Sequence, residues 1–445
     1  MKNKKFIFLS AITFALLNSS CIVHNAPAKI STAVIDTSTT KAARDFFKKN
    51  LYENVIGHNL SLPLSDSTEK NWEEAFDGME ISLDNSSAYV PQFKKAFDSF
   101  GSRSLEFQRS FLEALYALYP DNFPQEVFKV VQSTSNAKIF AMGINYLIRN
   151  KSFNNKNRFF INLIEKKFPR WNDNPILLSL QTYLKNPAGK FVDKRPPLVD
   201  LLSKNYGPDN TIIFSFQRTD RDYPGIAVIR RPDGSFVRNG DGTIFYITQL
   251  ARARTNLPFY LTNGNTPQGI FSIQGVDTSK LVDIGRTPNI QLVMPYEANP
   301  ALFFHKDNPS DTTWTQQLYS NILPASWRGY FPIWGTYYAG KAGRTAIIAH
   351  GTTIDPSFYY GQPYYPNTPT LGCLCAGEIW SEFDGSRLVS NQAALFNAFV
   401  STGSLKGFYV VVNIDDKKMP VVIDDVIMDI LKAEKISLGK NKNVY

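Results

Sequence analysis

The chain has 445 residues, 43% of them hydrophobic, and carries 48 Lys and Arg against 39 Asp and Glu, for a formal charge of +9. Three lysines lie in the first five residues, so the remainder carries a formal charge of +6. This excess is diffuse and contains no arginine-rich run, which disfavours a nucleic-acid-binding protein. The length predicts two or three domains.

Residues 1–21 have the pattern of an export signal. Lysines precede an apolar run that is too short to span a bilayer, and small residues lead to Cys21. Small residues before a single cysteine resemble a bacterial lipobox, although Asn18 stands where that pattern has an aliphatic residue. The resemblance implies lipidation of Cys21, a lipoprotein anchored to a membrane and an extracytoplasmic location in the periplasm or cell envelope. A plain cleaved signal peptide is the alternative.

Residues 22–40 are polar and are interpreted as a tether, and residues 41–200 are predicted to form an all-α domain. Apolar side chains recur there at helical spacing. Asn174 directly before Pro175 indicates a helix start. Such a region is typical of a scaffold or a surface that binds a protein partner. The predicted helices cover 42–51, 90–100, 104–119, 124–131, 138–149, 157–168 and 175–184.

Residues 205–415 are predicted to form a mainly β domain. Short strands are separated by Gly, Pro and Asn turns, which is typical of a sandwich or barrel. Residues 416–445 follow as a C-terminal helix, predicted over 424–435, and a tail. The predicted strands are 211–216, 226–229, 235–238, 244–247, 259–261, 270–273, 290–294, 345–349 and 408–414.

Chemically reactive residues are scarce, with 3 Cys and 4 His in the whole chain. Cys373 and Cys375 lie 23 and 25 residues after His350, and the only other histidine in this half is His305. A free thiol is only slightly ionised near neutral pH and needs a base beside it. His350 ends an apolar run, which predicts a rigid position at a strand end. His305 has no such partner and is interpreted as structural.

The order of these residues resembles the catalytic domain of the L,D-transpeptidases of the YkuD type. That family has a His-Gly-Thr-like segment followed by Ser/Thr-x-Gly-Cys, here residues 350–352 and 370–373. The sequence Thr-Pro-x-Gly-x-Phe-x-Ile at 266–273 is similar to the strand and turn that open the family's domain. The resemblance covers about residues 205–415 and does not extend to the helical half.

The resemblance implies that Cys373 is the nucleophile and His350 its base. The main-chain carbonyl of Gly351 would hold the imidazole tautomer, and Thr370 occupies the family's Ser/Thr position. The amides of Gly372 and Cys373 would help to hold an oxyanion.

Arg344 is a candidate for binding a substrate carboxylate, with a solvated strand-end charge as the alternative. Tyr338 is a candidate substrate contact, with a place in the core or rim as the alternative. Cys375 stands where the family usually has a polar residue, and the loop between His350 and Cys373 is longer than usual. Cys375 is interpreted as a residue packed under the site, with a second redox-sensitive thiol as the alternative. A metal pair with His350 is disfavoured, because too few ligands converge.

The sequence therefore predicts an enzyme of cell wall biogenesis, a transferase acting on peptidoglycan. Cys373 would form a thioester with a stem peptide, release the terminal D-residue and pass the acyl group to an amine. No metal or cofactor is needed. The alternatives are an L,D-carboxypeptidase or related amidase with the same Cys/His pair, and a catalytically inactive cell-wall-binding lipoprotein. The acceptor and the exact stem peptide stay open.

Overall fold

A computed structural model describes residues 34–187, 190–191, 193–279, 281–306 and 313–439. The predicted signal peptide, Cys21 and the end of the tail lie outside these residues. Within the described ranges, the helices are too short or too polar to cross a membrane.

The first half is helical, as the sequence predicts. Asn174 caps its last long helix, because its side-chain oxygen accepts from the amides of Ile176 and Leu177 at 3.0 and 3.2 Å. A helix over Glu69–Ser82 was not predicted, and the first predicted helix continues as a π-helical turn over Leu51–His58. The remaining helices are Lys41–Asn50, Asn59–Ser61, Val90–Ser99, Leu105–Leu118, Pro124–Ser133, Ala137–Arg149, Asn157–Lys167 and Pro175–Lys185.

Aromatic side chains form the centre of the helical region. The ring of Phe76 lies 5.3 Å from that of Phe93, 5.8 Å from Phe107 and 5.7 Å from Phe111, centroid to centroid. All four are fully buried. Rings at these separations contribute packing energy beyond their buried area, so this cluster fixes the helices against one another.

The second half is a nearly closed, barrel-like sheet with a separate hairpin. Its strands are β1 Ile212–Arg218, β2 Gly225–Arg230, β3 Ile247–Gln249, β4 Gly269–Asp277, β5 Asn289–Val293, β6 Ile348–His350, β7 Leu374–Cys375, β8 Glu378–Trp380, β9 Arg387–Ser390 and β10 Gly407–Asp415. Eight of them form the sheet in the order β3-β2-β1-β10-β4-β5-β6-β7, and β8 and β9 form the hairpin. The two ends of the sheet meet because Leu250, directly after β3, exchanges main-chain hydrogen bonds of 2.7 and 2.8 Å with Cys375 of β7.

Both faces of the sheet are covered. On β1, Ile212, Phe214 and Phe216 pack on one face, and Ile213 lies in a second core on the other. This explains why Ile212, Ile213 and Phe214 are consecutive apolar residues rather than alternating with polar ones. The helices of this half are Leu198–Leu202, Pro300–Phe303, Gln316–Asn321, Gly335–Lys341, Asn391–Val400 and Ile427–Gly439.

The predicted strand at 259–261 is wrong. These residues form turns, with the Leu261 amide donating to Pro258 O at 3.0 Å and the Gly264 amide donating to Leu261 O at 3.1 Å. The apolar run is instead buried in the core of the helical region, where Tyr260 and Leu261 lie. The segments 235–238 and 244–247 form bridges and the start of β3 rather than full strands.

The described end of the predicted tether is docked on the barrel half. Ile35 forms a bridge with Ser386, and the Arg387 amide donates to Val34 O at 2.9 Å. Asp36 is buried, and its amide donates to Gly385 O at 2.8 Å. Residues 34–40 are therefore part of the folded structure.

Candidate active site

The candidate cysteine and histidine lie on neighbouring parallel strands. Ala349 of β6 pairs with Leu374 of β7, and His350 pairs with Cys375. Ala349 and Leu374 point into the buried core of the sheet. Because side chains alternate along a strand, His350 and Cys375 point to the opposite face. Cys373 directly precedes β7, at the end of the turn that leads into it.

A tight turn positions Cys373. The Gly372 amide donates to Thr370 Oγ1 at 3.0 Å, and that hydroxyl donates to Cys373 O at 3.1 Å. Gly372 has φ +114°, and a Cβ there would lie 2.3 Å from Arg344 Nη2 and 2.5 Å from Gly264 O. Only glycine fits this position. The Gly372 amide, expected to hold an oxyanion, is instead used by Thr370 inside the turn.

The Cys373 thiol is partly exposed, and its hydrogen-bond contacts are to main-chain groups in β6 and just before it. Its Sγ lies 3.5 Å from the Ile348 amide and 3.5 Å from Ala346 O. Burial raises the pKa of Cys373 to about 11, opposed in part by the Ile348 amide and the charge of Arg344. At neutral pH the sulfur is therefore protonated.

His350 is 3% exposed, and its Nδ1 contacts the main-chain oxygen of Gly351. This is the contact that the sequence resemblance implies for that carbonyl. Burial lowers the pKa of His350, so the imidazole is neutral at pH 7 with Nδ1 protonated and Nε2 as its free base. Among the described atoms no hydrogen bond joins His350 to Cys373. Burial favours the neutral form of both groups, so proton transfer between them would have to occur during the reaction.

Cys375 is fully buried, with Sγ 3.8 Å from Thr368 Oγ1 and 3.9 Å from Gly351 O. Burial raises the pKa of Cys375 to about 12. These contacts agree with a residue packed under the site and leave the second thiol out of reach of solvent. Both cysteines are free.

Two expected substrate contacts are placed differently from the predictions. Arg344 is 6% exposed and donates to the main-chain oxygens of Phe259, Gly264 and Asn265, the last two at 2.8 Å each. It is thus neither a solvated strand-end charge nor free to bind a carboxylate. Tyr338 is buried, and its ring lies 5.3 Å from that of Phe331 and 5.4 Å from that of Tyr337, centroid to centroid, which is the core position given as its alternative.

His305 is structural, as expected. Its Nε2 lies 3.1 Å from Ser272 Oγ and 3.3 Å from Gly407 O. Burial lowers its pKa.

Two carboxylates beside the thiol were not predicted. Glu297 accepts from the amides of Ala346 and Met294 at 2.7 and 3.0 Å and so fixes the carbonyl that Cys373 contacts. Asp283 raises the pKa of both Cys373 and His350 through its charge. Both lie in loops more than 50 residues before His350, and no sequence pattern identifies them.

Asp283 is connected to the helical region by an arginine that forms ion pairs with both. Arg254 Nη2 lies 3.6 Å from Asp283, and Nη1 lies 3.2 Å from Asp77 of the helix Glu69–Ser82. Arg254 is buried, and its charge contributes to the lowered pKa of His350. The electrostatic surroundings of the site therefore come from both halves of the chain.

Comparison of the chain with protein-family models, with curated proteins and with solved structures returned no match. Among the described residues, no group of three or more His, Cys, Asp or Glu side chains is arranged to hold a metal ion.

Proposed function

We propose that the chain is a cysteine-dependent L,D-transpeptidase that acts on peptidoglycan stem peptides. The observation that carries the proposal is that Cys373 directly precedes β7, the strand that pairs with β6 and His350, with the imidazole held through Nδ1 by Gly351. The sequence motifs that flank both residues support the same activity. A nucleophile and an oriented base are the minimum for acyl transfer through a covalent intermediate.

In the proposed reaction the neutral His350 takes the thiol proton of Cys373 as Sγ attacks the peptide carbonyl. The tetrahedral intermediate collapses to a thioester, and the departing D-residue leaves as an amine that receives the proton from the imidazolium. An acceptor amine then attacks the thioester and loses a proton to His350, which regenerates the thiol. Water in place of the amine gives the carboxypeptidase reaction.

The two side chains are not hydrogen-bonded in the free protein, an arrangement that commonly tightens only when substrate binds. The Cys373 amide has no acceptor within the described chain, so it remains as an oxyanion donor after Gly372 is used by the turn. One donor of this kind is worth roughly 100- to 1,000-fold in rate.

The experiment compares the unmodified protein with Cys373→Ala and His350→Gln on a purified tetrapeptide-stem muropeptide, with and without an added amine. Mass spectrometry should show loss of the terminal D-residue and an amine adduct, and both variants should lose at least about 1,000-fold in rate. Cys375→Ser is the matched control and should keep most of the activity. Hydrolysis without amine transfer would favour the carboxypeptidase. Equal turnover by Cys373→Ala would end the proposal.

A second candidate is a cell-wall-binding lipoprotein without turnover. Two features favour it: burial raises the pKa of Cys373, and among the described residues no hydrogen bond joins Cys373 to His350. Intact-mass analysis after exposure to a penem β-lactam separates the candidates. A stoichiometric adduct on Cys373 supports the enzyme, and an unmodified protein that still sediments with purified cell wall supports the binding protein.

A further inference from the structure

A cavity of about 420 Å³ lies where the helical region meets the barrel, and neither Cys373 nor His350 lines it. Its walls include aromatic side chains that come from distant parts of the chain. Tyr183 belongs to the last long helix of the helical region, Phe259 to the turn that packs on that region, and Tyr330 to the barrel half. A cavity of this size with apolar walls is within the range of small-molecule sites.

Arg221 is the sole charged residue among the described residues that line this cavity. It is 6% exposed and donates only to Arg218 O and Thr266 O, both at the long distance of 3.3 Å. No carboxylate within the described chain pairs with it. A buried guanidinium without a counter-charge is costly, and burial lowers the pKa of Arg221 to about 10. The cavity thus offers an unneutralised positive charge.

Asn413 supplies a second unpartnered group on the same wall. It is 9% exposed, and its side-chain oxygen has no hydrogen-bond partner. Its main-chain amide donates to Gln268 Oε1 at 2.8 Å. Buried side-chain amides in native proteins nearly always find partners. The oxygen itself is enclosed by protein, and Asn413 lines the cavity through the rest of its surface.

Both residues lie near the end of β1. Asn413 of β10 pairs in register with Gln217 of β1, and Arg221 follows the end of β1 by three residues. The Arg221 guanidinium donates to Thr266 O, and the main-chain amide of Asn413 donates to the side chain of Gln268, two residues later. Both residues line the same cavity.

We propose that this cavity binds a small peptide-like carboxylate: an N-acylated amino acid or a short peptide with a free C-terminal carboxylate and an apolar side chain. The carboxylate binds the guanidinium of Arg221. The neighbouring amide of the ligand pairs with the side chain of Asn413, and the apolar side chain packs between Tyr183, Phe259 and Tyr330. The site is separate from the Cys373 thiol and does not depend on its activity.

The test is calorimetric titration of the full chain with a panel of probes: N-acetyl-leucine, N-acetyl-phenylalanine and trialanine, each as the free acid and as the C-terminal amide. At least one acid should bind, and its amide should bind at least tenfold more weakly. Arg221→Gln should weaken the acid at least tenfold. Asn413→Leu should weaken acid and amide to a similar extent, because it removes the contact to the group that both share.

Arg158→Gln removes the same charge from an exposed position and should leave binding unchanged. Cys373→Ala should also bind as the unmodified protein does, so the outcome is independent of the proposed enzyme activity. The acid–amide comparison uses the unmodified protein and stands even where a variant folds poorly. Failure of every acid to bind, equal binding of acid and amide, or full binding by a folded Arg221→Gln protein would each overturn the inference.

Discussion

The helical region and the barrel are stabilised in different ways, and the segment between residues 253 and 266 belongs to both. The helical region is built from neighbours in sequence that meet around Phe76 and its aromatic partners. The barrel depends on distant pairings, such as β1 with β10, nearly 200 residues apart. Between them, Tyr260 lies in the helical core while Arg254 and Thr266 contact the candidate site.

The two regions are therefore not a barrel with a separate helical attachment, because hydrogen bonds connect them through residues 260–265. Asn145 Nδ2 of the helical region donates to Tyr260 Oη at 3.1 Å, Lys138 donates to Thr262 at 2.8 Å, and Glu113 accepts from Asn263 at 3.1 Å. Two residues further along the chain, the main-chain oxygen of Asn265 accepts a hydrogen bond from Arg344. The Arg344 guanidinium lies directly beside Gly372, in the turn that leads to Cys373. The helical region thus supports the site through one short segment.

Tyr260→Ala should have the largest effect on stability, because it removes the main contact of this segment with the helical core. The side chain is buried in the helical core and hydrogen-bonded to Asn145, so its loss should lower the free energy of unfolding by about 3–5 kcal/mol. Tyr246→Ala, at an exposed barrel position, should cost less than about 0.5 kcal/mol. Denaturant unfolding followed by fluorescence measures both. Two separate transitions, with only one of them shifted, would show that the regions fold independently.

Gly372→Ala tests whether the turn in the barrel half positions the Cys373 thiol. The new Cβ would collide with Gly264 O and Arg344 at a backbone angle that disfavours alanine. We expect the turn to move and the rate of penem acylation at Cys373 to fall about 100-fold. Gly329→Ala, where a Cβ meets nothing within 4 Å, is the control. An unchanged rate would mean that the turn does not position the thiol.

The pH dependence of thiol reactivity separates a neutral thiol from a preformed thiolate. Because burial raises the pKa of Cys373 to about 11, the thiolate fraction should rise about tenfold per pH unit between pH 7 and 9. The rate of iodoacetamide labelling, assigned to Cys373 by peptide mass spectrometry, should follow it. Labelling that is already at its plateau by pH 8 would indicate an ion pair with His350 in the free protein.

The sequence predicted the elements whose evidence is local. Helical periodicity and the Asn174 cap located most of the helices, and the apolar runs located β1, β2, β4, β5 and β10. The two-residue strand β7 was not predicted, because only its pairing with β6 and Leu250 makes it a strand. The run at 259–261 has the pattern of a strand, and its burial against distant helices leaves no local sign in the sequence.

In the candidate site, too, some residues have a local sequence signal and others have roles that depend on distant contacts. Cys373 and His350 were located by their motifs, whereas the role of Arg344 as a support of the turn depends on three carbonyls about 80 residues away. The uses of the Gly372 amide and of Asp283 likewise arise from contacts that form only in the fold. Motifs identify the reacting groups, and long-range packing determines their surroundings.

The smallest predicted effect distinguishes the two carboxylates that contact Arg254. Asp283 raises the pKa of Cys373 through its charge, so Asp283→Asn should lower that pKa and speed iodoacetamide labelling at pH 8 roughly two- to fivefold. Asp77→Asn removes the helical partner of the same arginine. Its charge acts on the thiol only through Arg254, so labelling should change by less than about 1.5-fold. Equal acceleration by both variants would place the electrostatic control of Cys373 in Arg254 itself, and the helical region would then regulate the thiol as directly as the barrel loop does.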